Sequence, residues 1–458
     1  MHWFGPLPGS REARTLSLMA IAVALIVCGL SIVRGFQGET FMGRPLGGDF
    51  VQFYVAGKIL NQYQPARLYD LALEVPLQHE AAPGTPKDQM LVFASAPYAG
   101  LIYRSFAALP YVWAYVAWLI FSAALYSTAV LLLLGSVELS AEQRKTGFLL
   151  GIGSMPFLME TWIGGQISVL GFLALALFVF CRARNRRFVA GLALALALFK
   201  PTLIAIPVLM LLCGRRWRML GGVLTGAVAL GLASLATVGI KGFGAWLDTL
   251  QFYGRLATGG AAALRRNKYV DLGSFFHLLL GNASTLAEVL AAVVAVAGLA
   301  TLAAAWWRSS AWSAASRDLL WAATLSAALV CNVYTPIYDT ILVGPAVALT
   351  AGVMLKRGVR EREVFAGWLV LLYLVPWLTQ SFAEFLRFQP FTLILAGFAW
   401  WTLSLARRMA GAEDSTYHQL LRVTSYAVSC LTGISSRCLS VFLRSYSPAA
   451  AILWERDR

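Results

Sequence analysis

The chain has 458 residues, 59% of them hydrophobic and 13% charged, with a mean hydropathy of +0.68. A soluble protein of two or three domains does not carry so little charge, so the composition indicates a polytopic membrane protein. The formal net charge of +15 falls in short basic clusters between apolar runs, RARNRR at 182–187, GRRWR at 214–218 and KRGVRER at 356–362, which is positive-inside patterning and excludes the continuous basic groove of a nucleic-acid-binding protein.

Apolar runs predict membrane spans at 15–33, 106–134, 147–163, 167–181, 217–239, 286–307, 318–335, 338–355, 364–380 and 390–406, most near the roughly 20 residues that cross a bilayer core. The first run lacks a small-residue cleavage site and is followed by further spans, so it reads as a retained helix rather than a signal peptide. Arg11 and Arg14 on the inside place 35–105 outside as a long extracytoplasmic loop with short amphipathic helices. The remaining apolar run, FVAGLALALALFKPTLIAIPVLMLLC at 188–213, lies between two basic clusters that both belong on the cytoplasmic side. It therefore enters and leaves on one side as a helical hairpin. Each arm is about 18–20 Å long as helix, which sets the turn at Lys200-Pro201 at or beyond mid-bilayer. Pro201 breaks the hydrogen-bond ladder and disfavours helix in the residue before it. Lys200 then faces a protein cavity, and an intramembrane lysine marks a functional site; the plainer alternative is two tilted crossings with Lys200 snorkelling to the outer headgroups.

The expected architecture is all-α, a bundle of about 12 membrane helices (the hairpin counted as two) forming one transmembrane domain over 1–406. A second outer loop covers 241–285, with a short re-entrant piece at 271–281, and a cytoplasmic tail covers 407–458. No inverted repeat of the transporter type is visible.

Under this topology the unusual polar residues collect on the outer side: Asp49, Gln166, Lys200, the Arg265-Arg266-Asn267-Lys268 run and Tyr338-Asp339. Asp49 opens GGDFVQFYVAG, in which Phe50, Phe53, Tyr54 and Gly57 recur at helical spacing, as in an interfacial amphipathic helix. The spacing fits equally an N-cap, with the carboxylate on the first free amides, and a general base desolvated by aromatic neighbours. Gln166, in WIGGQISVL, fits either a turn-stabilising amide or a contact to a sugar hydroxyl. Arg265, Arg266 and Lys268 are basic on the positive-poor side and suit a lipid phosphate, or plain attraction to anionic headgroups. Asp339 fits a helix cap and Tyr338 an interfacial anchor. The cysteines Cys28, Cys181, Cys213, Cys331, Cys430 and Cys438 and the histidines His2, His79, His277 and His418 show no metal-ligand spacing, so no metal site is expected.

The order GGDFVQFYVAG, ARLYD at 66–70, FAALP at 106–110, GGQISVL at 164–170 and AGLALALALFKPTLIAIPVLMLL at 190–212 resembles glycosyltransferase family 87, over roughly residues 15–355 as a moderately specific set. The resemblance implies a GT-C fold and a bacterial inner-membrane enzyme acting on the periplasmic face. It further implies a catalytic aspartate in the first outer loop, here Asp49, and a polyprenyl-phosphate sugar donor, mannose in the mannosyltransferases that the family includes. Family members often carry Tyr-Pro-Pro where this chain has Ser95-Ala96-Pro97-Tyr98, and His-Asp where it has Tyr338-Asp339. The residues themselves suit that chemistry. A polyprenyl phosphate leaves readily at neutral pH, so one base is enough, unlike the two-carboxylate design of glycosidases. Asp49 would deprotonate an acceptor hydroxyl during inverting attack, and Lys200, Arg265, Arg266 and Lys268 would hold the phosphate. Phe53, Tyr54, Gln166, Tyr338 and Asp339 would line the substrate site. No cofactor or metal is expected beyond the lipid-linked donor, and the expected partners are that donor, a lipid or glycan acceptor and the surrounding lipids. A flippase or transporter of lipid-linked sugars is the alternative; it would spread polar residues through the membrane depth rather than gather them at one face.

Overall fold

The computed structural model describes residues 11–41, 45–84, 91–258, 265–281 and 284–431. These residues are helical with no strand among them, apart from an isolated antiparallel bridge between Tyr269 and Pro336. In chain order the helices are α1 Arg11–Phe36, α2 Phe50–Gln62, α3 Leu71–Ala81, α4 Pro97–Phe106, α5 Tyr111–Leu134, α6 Ala141–Ile152, α7 Ser168–Ala183, α8 Arg187–Ala195, α9 Thr202–Cys213, α10 Trp217–Thr258, α11 Leu272–Leu280, α12 Thr285–Arg308, α13 Ala314–Val330, α14 Gly344–Met354, α15 Val359–Phe385 and α16 Pro390–Leu431.

Six helical segments among the described residues are long and apolar enough to cross a membrane: Arg11–Phe36, Tyr111–Leu134, Trp217–Phe252, Thr285–Arg308, Ile337–Met354 and Val359–Phe385. The expected dozen is not reached by this measure because several apolar runs are interrupted. The run predicted at 147–163 divides between α6, which ends at Ile152 with Gly153 as its C-cap, and a π-helical turn, Pro156–Trp162, with Pro156 in its first turn. The 188–213 run divides at Lys200, whose extended backbone (φ −133°, ψ 88°) follows a 3-10 turn, Leu196–Phe199. α10 contains a kink at Gly239, where φ of +68° and ψ of 179° depart from helix, so 240–258 form a separate arm of it. α16 continues without interruption past residue 407, and residues 432–458 lie outside the described set.

α8 packs on α7 and α10, and α9 on α12 and α13. Gly191 and Gly222 set the α8–α10 approach: a Cβ on Gly191 would lie 2.0 Å from the Met219 carbonyl oxygen, and one on Gly222 2.1 Å from that of Phe188. The basic ends of these helices meet, since Arg187, Arg215, Arg216 and Arg218 line one cavity. At the other end the turn around Lys200 is tied to the segment that precedes and opens α4 by Ala96 N–H to the Phe199 carbonyl (3.0 Å) and by the Tyr98 hydroxyl to the Leu196 carbonyl (3.1 Å).

α2 and α4 form a packed unit. α2 does not lie on a lipid surface as an amphipathic helix; nine of its residues, from Phe50 to Leu60, are buried. The reason is the facing α4, which approaches so closely that a Cβ on Gly57 would sit 2.4 Å from the Tyr103 carbonyl oxygen. Phe53 stacks on Tyr103 at 5.0 Å, and Phe50 meets Tyr103, Tyr115 and Trp118. Aromatic packing of this kind adds roughly 0.5–1.5 kcal/mol per pair beyond area burial, and it fixes the helix that begins beside Asp49.

Candidate active site

Two glycine pairs bring Asp49 to the turn before α7. Gly47 and Gly48 take positive φ (+77° and +51°), as does Gly165 (+67°), conformations open to glycine without a Cβ penalty. The bare backbones touch: Asp49 N–H donates to the Gly164 carbonyl at 3.1 Å, and a Cβ on Gly165 would stand 2.5 Å from Phe50 Cβ. Gln166, buried to 3% exposure, anchors its own N–H on the Thr161 carbonyl at 2.8 Å and donates its side-chain amide to Asp49 Oδ2. Asp49 precedes α2 but its side chain makes no capping bond to it. Of the two uses the sequence left open, capping is thus not made, and the carboxylate is directed across to the GGQIS turn.

A second polar group adjoins the first. Asp339, with 0% exposure, lies inside the 3-10 turn Ile337–Val343, whose cap position is Pro336, so it does not cap this element either. Its Oδ1 accepts the Ser168 hydroxyl at 2.6 Å and its Oδ2 accepts the Lys200 ammonium. That ammonium lies 5.0 Å from the ring centre of Tyr334 and 5.4 Å from that of Tyr338, within cation–π range. The Tyr338 backbone is held by the Thr161 hydroxyl at 3.2 Å, and Asn332 ties the Tyr334 segment to Thr202 at 3.2 Å. Ser168 and Tyr334 were not among the residues singled out from sequence. Ser168 is two residues from Gln166, so one turn supplies a partner to Asp49 and another to Asp339.

The segment around Val270 and Asp271 closes over this seam. Val270 N–H donates to the Thr335 carbonyl at 2.8 Å, and Asp271, fully buried, accepts from Thr335 N–H (3.0 Å) and from the Ser274 N–H (2.8 Å) and hydroxyl (3.1 Å). Burial pushes the Asp271 carboxyl up, and these hydrogen bonds oppose it. Gln389 holds the same segment by the carbonyls of Asn267 (3.2 Å) and Tyr269 (3.1 Å). Of the predicted basic run, Arg266 is buried, Lys268 half-buried and Arg265 exposed. The Tyr269 hydroxyl is raised first by burial, then by Tyr334, Asp49 and Asp271, with Arg266 acting the other way. Arg266 and Asp49 thus both act on Tyr269.

The structure brings together Asp49, Gln166, Lys200, Tyr338, Asp339 and the Arg266 loop. It does not bring Phe53 and Tyr54 there by their functional groups: Phe53 packs on Tyr103 and Phe93, and the Tyr54 hydroxyl is used on the Leu109 carbonyl at 3.0 Å. Among the described residues no three His, Cys, Asp or Glu side chains converge as metal ligands. One turn thus links the Asp49 carboxylate to a lysine paired with Asp339, a set suited to moving one proton next to a phosphate-bearing group.

Comparison with curated proteins and with solved structures gives no match. The sequence profile of glycosyltransferase family 87 matches residues 93–336, narrower than the 15–355 over which the motifs are similar. The matched stretch contains Gln166, Ser168, Lys200 and the 265–268 run. It begins after Asp49 and ends just before Tyr338-Asp339, so these three join it through the hydrogen bonds and packing above. It covers more than half of a multi-pass helical membrane chain, and on that ground the chain belongs to glycosyltransferase family 87 and is a membrane glycosyltransferase.

Proposed function

We propose that the protein transfers a hexose, mannose by likeness to the family, from a polyprenyl-phosphate donor to a hydroxyl of a lipid or glycan acceptor on the extracytoplasmic face. The observation that carries this reading is the joining of Asp49–Gln166 to Ser168–Asp339–Lys200 through a single turn. An acid and a cation are thereby held in one seam at the end of the bundle away from the basic clusters. Positive-inside patterning puts those clusters in the cytoplasm and the seam outside, which for a bacterial inner membrane is the periplasm.

In the proposed reaction the acceptor oxygen attacks the anomeric carbon, its proton passes to the Asp49 carboxylate, and the bond from that carbon to the phosphate oxygen breaks with inversion. The electron pair leaves with polyprenyl phosphate. Gln166 fixes the orientation of Asp49. Lys200, aligned by Asp339 and flanked by Tyr334 and Tyr338, keeps further N–H groups for a phosphate oxygen, since an ammonium carries three donors. Arg266 would share the developing charge, with Arg265 and Lys268 nearer the loop surface. Phe53 and Tyr54 would act by holding α2. Transfer by this route is metal-independent. An apolar cleft of about 240 Å³ supports a lipid-linked substrate: it reaches from Thr340 and Ile341, next to Asp339, past Phe172 and Val347 toward Leu355.

The test is transfer by the purified protein from radiolabelled polyprenyl-phosphate sugars against nucleotide sugars, with and without chelator. Transfer from the polyprenyl phosphate in chelator is expected. Transfer confined to nucleotide sugars, or abolished by chelator and restored by a divalent ion, contradicts the reading.

A further inference from the structure

The end of the bundle opposite Asp49 holds a cavity of about 520 Å³. Six arginines line it from three separate parts of the chain: Arg182 and Arg187 at the α7–α8 turn, Arg215, Arg216 and Arg218 at the α9–α10 turn, and Arg317 in α13. One acid, Asp318, shares the lining and is paired with Arg182. Arg216 is half-buried and among the described residues bonds neutral groups, the Ser309 carbonyl (3.1 Å) and hydroxyl (3.0 Å). Burial first, and then the charges of Arg317 and Arg187, hold its guanidinium below the usual value. Like charges are therefore crowded where a single carboxylate is available.

The two turns are built alike. Arg186 N–H donates to the Cys181 carbonyl and Arg216 N–H to that of Leu211, both at 2.9 Å, with Asn185 (φ +58°) and Arg215 (φ +53°) in the left-handed position between. Helix-ending turns of this kind usually place glycine there. An arginine at that position retains its side chain against a backbone cost, a pattern associated with function. The Arg215 guanidinium lies 4.1 Å from the ring centre of Trp307, which orients it. Positive-inside patterning accounts for arginines in cytoplasmic turns; it does not account for six converging on one cavity with buried Trp306 and Trp321 in the same lining.

We propose that this cavity binds the phosphate of an anionic phosphate ester, with the headgroup of an anionic phospholipid as its source. Guanidinium groups take phosphate oxygens in paired, planar contacts, and basic pockets between membrane helices on the cytoplasmic side suit such headgroups. Trp306, Trp321 and Leu349 receive the adjoining apolar part. α7, α8 and α9, whose other ends lead to Ser168 and Lys200, are joined at this site.

The experiment uses the full chain in neutral detergent, wild type and the double variant Arg187→Gln/Arg317→Gln. Thermal midpoints are titrated with phosphatidylglycerol, phosphatidylcholine and glycerol 3-phosphate. In lipid-free detergent the variant is expected to melt at or above the wild-type temperature, because Arg216 loses two like-charged neighbours. Phosphatidylglycerol is expected to raise the wild-type midpoint and to bind the variant at least tenfold more weakly, with no shift from phosphatidylcholine. A shift by glycerol 3-phosphate as well supports the phosphate site and assigns it a soluble source; a shift by the lipid alone assigns the headgroup. Equal shifts in wild type and variant, or no shift from either anionic ester, overturn the proposal. Arg218→Gln, at an exposed lining position, repeats the test if the double variant does not fold.

Discussion

Lys200→Met isolates the buried pair. In the wild type Asp339 has 0% exposure and two side-chain partners, Lys200 and Ser168. Removing the ammonium leaves a carboxylate inside the bundle with one hydroxyl donor, and breaking a buried pair in this way costs about 3–5 kcal/mol, most of it the penalty of the abandoned charge. Asp339→Asn alone strands the lysine, whose side chain is 16% exposed, and should cost somewhat less because some solvation remains. Combining Lys200→Met with Asp339→Asn removes both charges, and the double variant should recover to within about 1–2 kcal/mol of wild type. Its transferase activity should stay lost, because neutrality restores folding and does not restore a cation for the phosphate. The assay is a thermal unfolding midpoint in detergent at one scan rate, with transfer measured on the same samples. Additive destabilisation in the double variant, or recovery of activity along with stability, refutes the reasoning.

Gly165→Ala sets a Cβ at 2.5 Å from Phe50 Cβ and 2.8 Å from the Gly47 carbonyl, at φ +67°. It should cost a few kcal/mol and abolish transfer, whereas Gly231→Ala in α10, with nothing within 4 Å, should leave the melting temperature unchanged or slightly higher. Gln166→Leu removes the donor to Asp49 and should lower turnover about tenfold or more, since a hydrogen bond to a charged group contributes roughly 1.5–3 kcal/mol; steady-state transfer with turnover unchanged would contradict the positioning role. Glu74 in α3 is buried, its Oε2 has no hydrogen-bond partner among the described residues, and burial pushes its carboxyl up to about 8 from 4.5. The folded state holds that proton longer than the unfolded one, so the contribution to stability is complete below about pH 4.5 and is lost as pH rises toward about 8, by on the order of a few kcal/mol. Glu74→Gln should flatten that slope in melting temperatures taken from pH 5 to pH 8.5; an unchanged slope places the titration elsewhere.

Charge carried much of what could be read from the sequence. The clusters at 182–187 and 214–218 turned one apolar run into a chain reversal at Lys200, and the helix is interrupted at that residue. The run at 147–163 read as one span and divides at Gly153 and Pro156, because a window average does not register such ends. Hydropathy also did not separate α2 lying on lipid from α2 buried against α4, since both give the same apolar periodicity; the difference lies in the approach at Gly57. The site was legible as residue types and not as partners. Lys200 and Asp339 are 139 positions apart, and local spacing favoured a cap for Asp339. Arg265 and Arg266 are equivalent on paper and differ in burial. Ser168 carried a signal only in its place two residues beyond Gln166, on the turn that faces both carboxylates.

The most direct measurement is the transfer rate of Asp49→Asn against wild type, with a polyprenyl-phosphate sugar and an acceptor, on protein shown by its melting temperature to be folded. Asparagine keeps an oxygen for the Gln166 amide and cannot take a proton. With the base removed, turnover should fall roughly 10²–10⁴-fold while donor binding persists. A folded Asp49→Asn enzyme that transfers sugar at the wild-type rate contradicts the account.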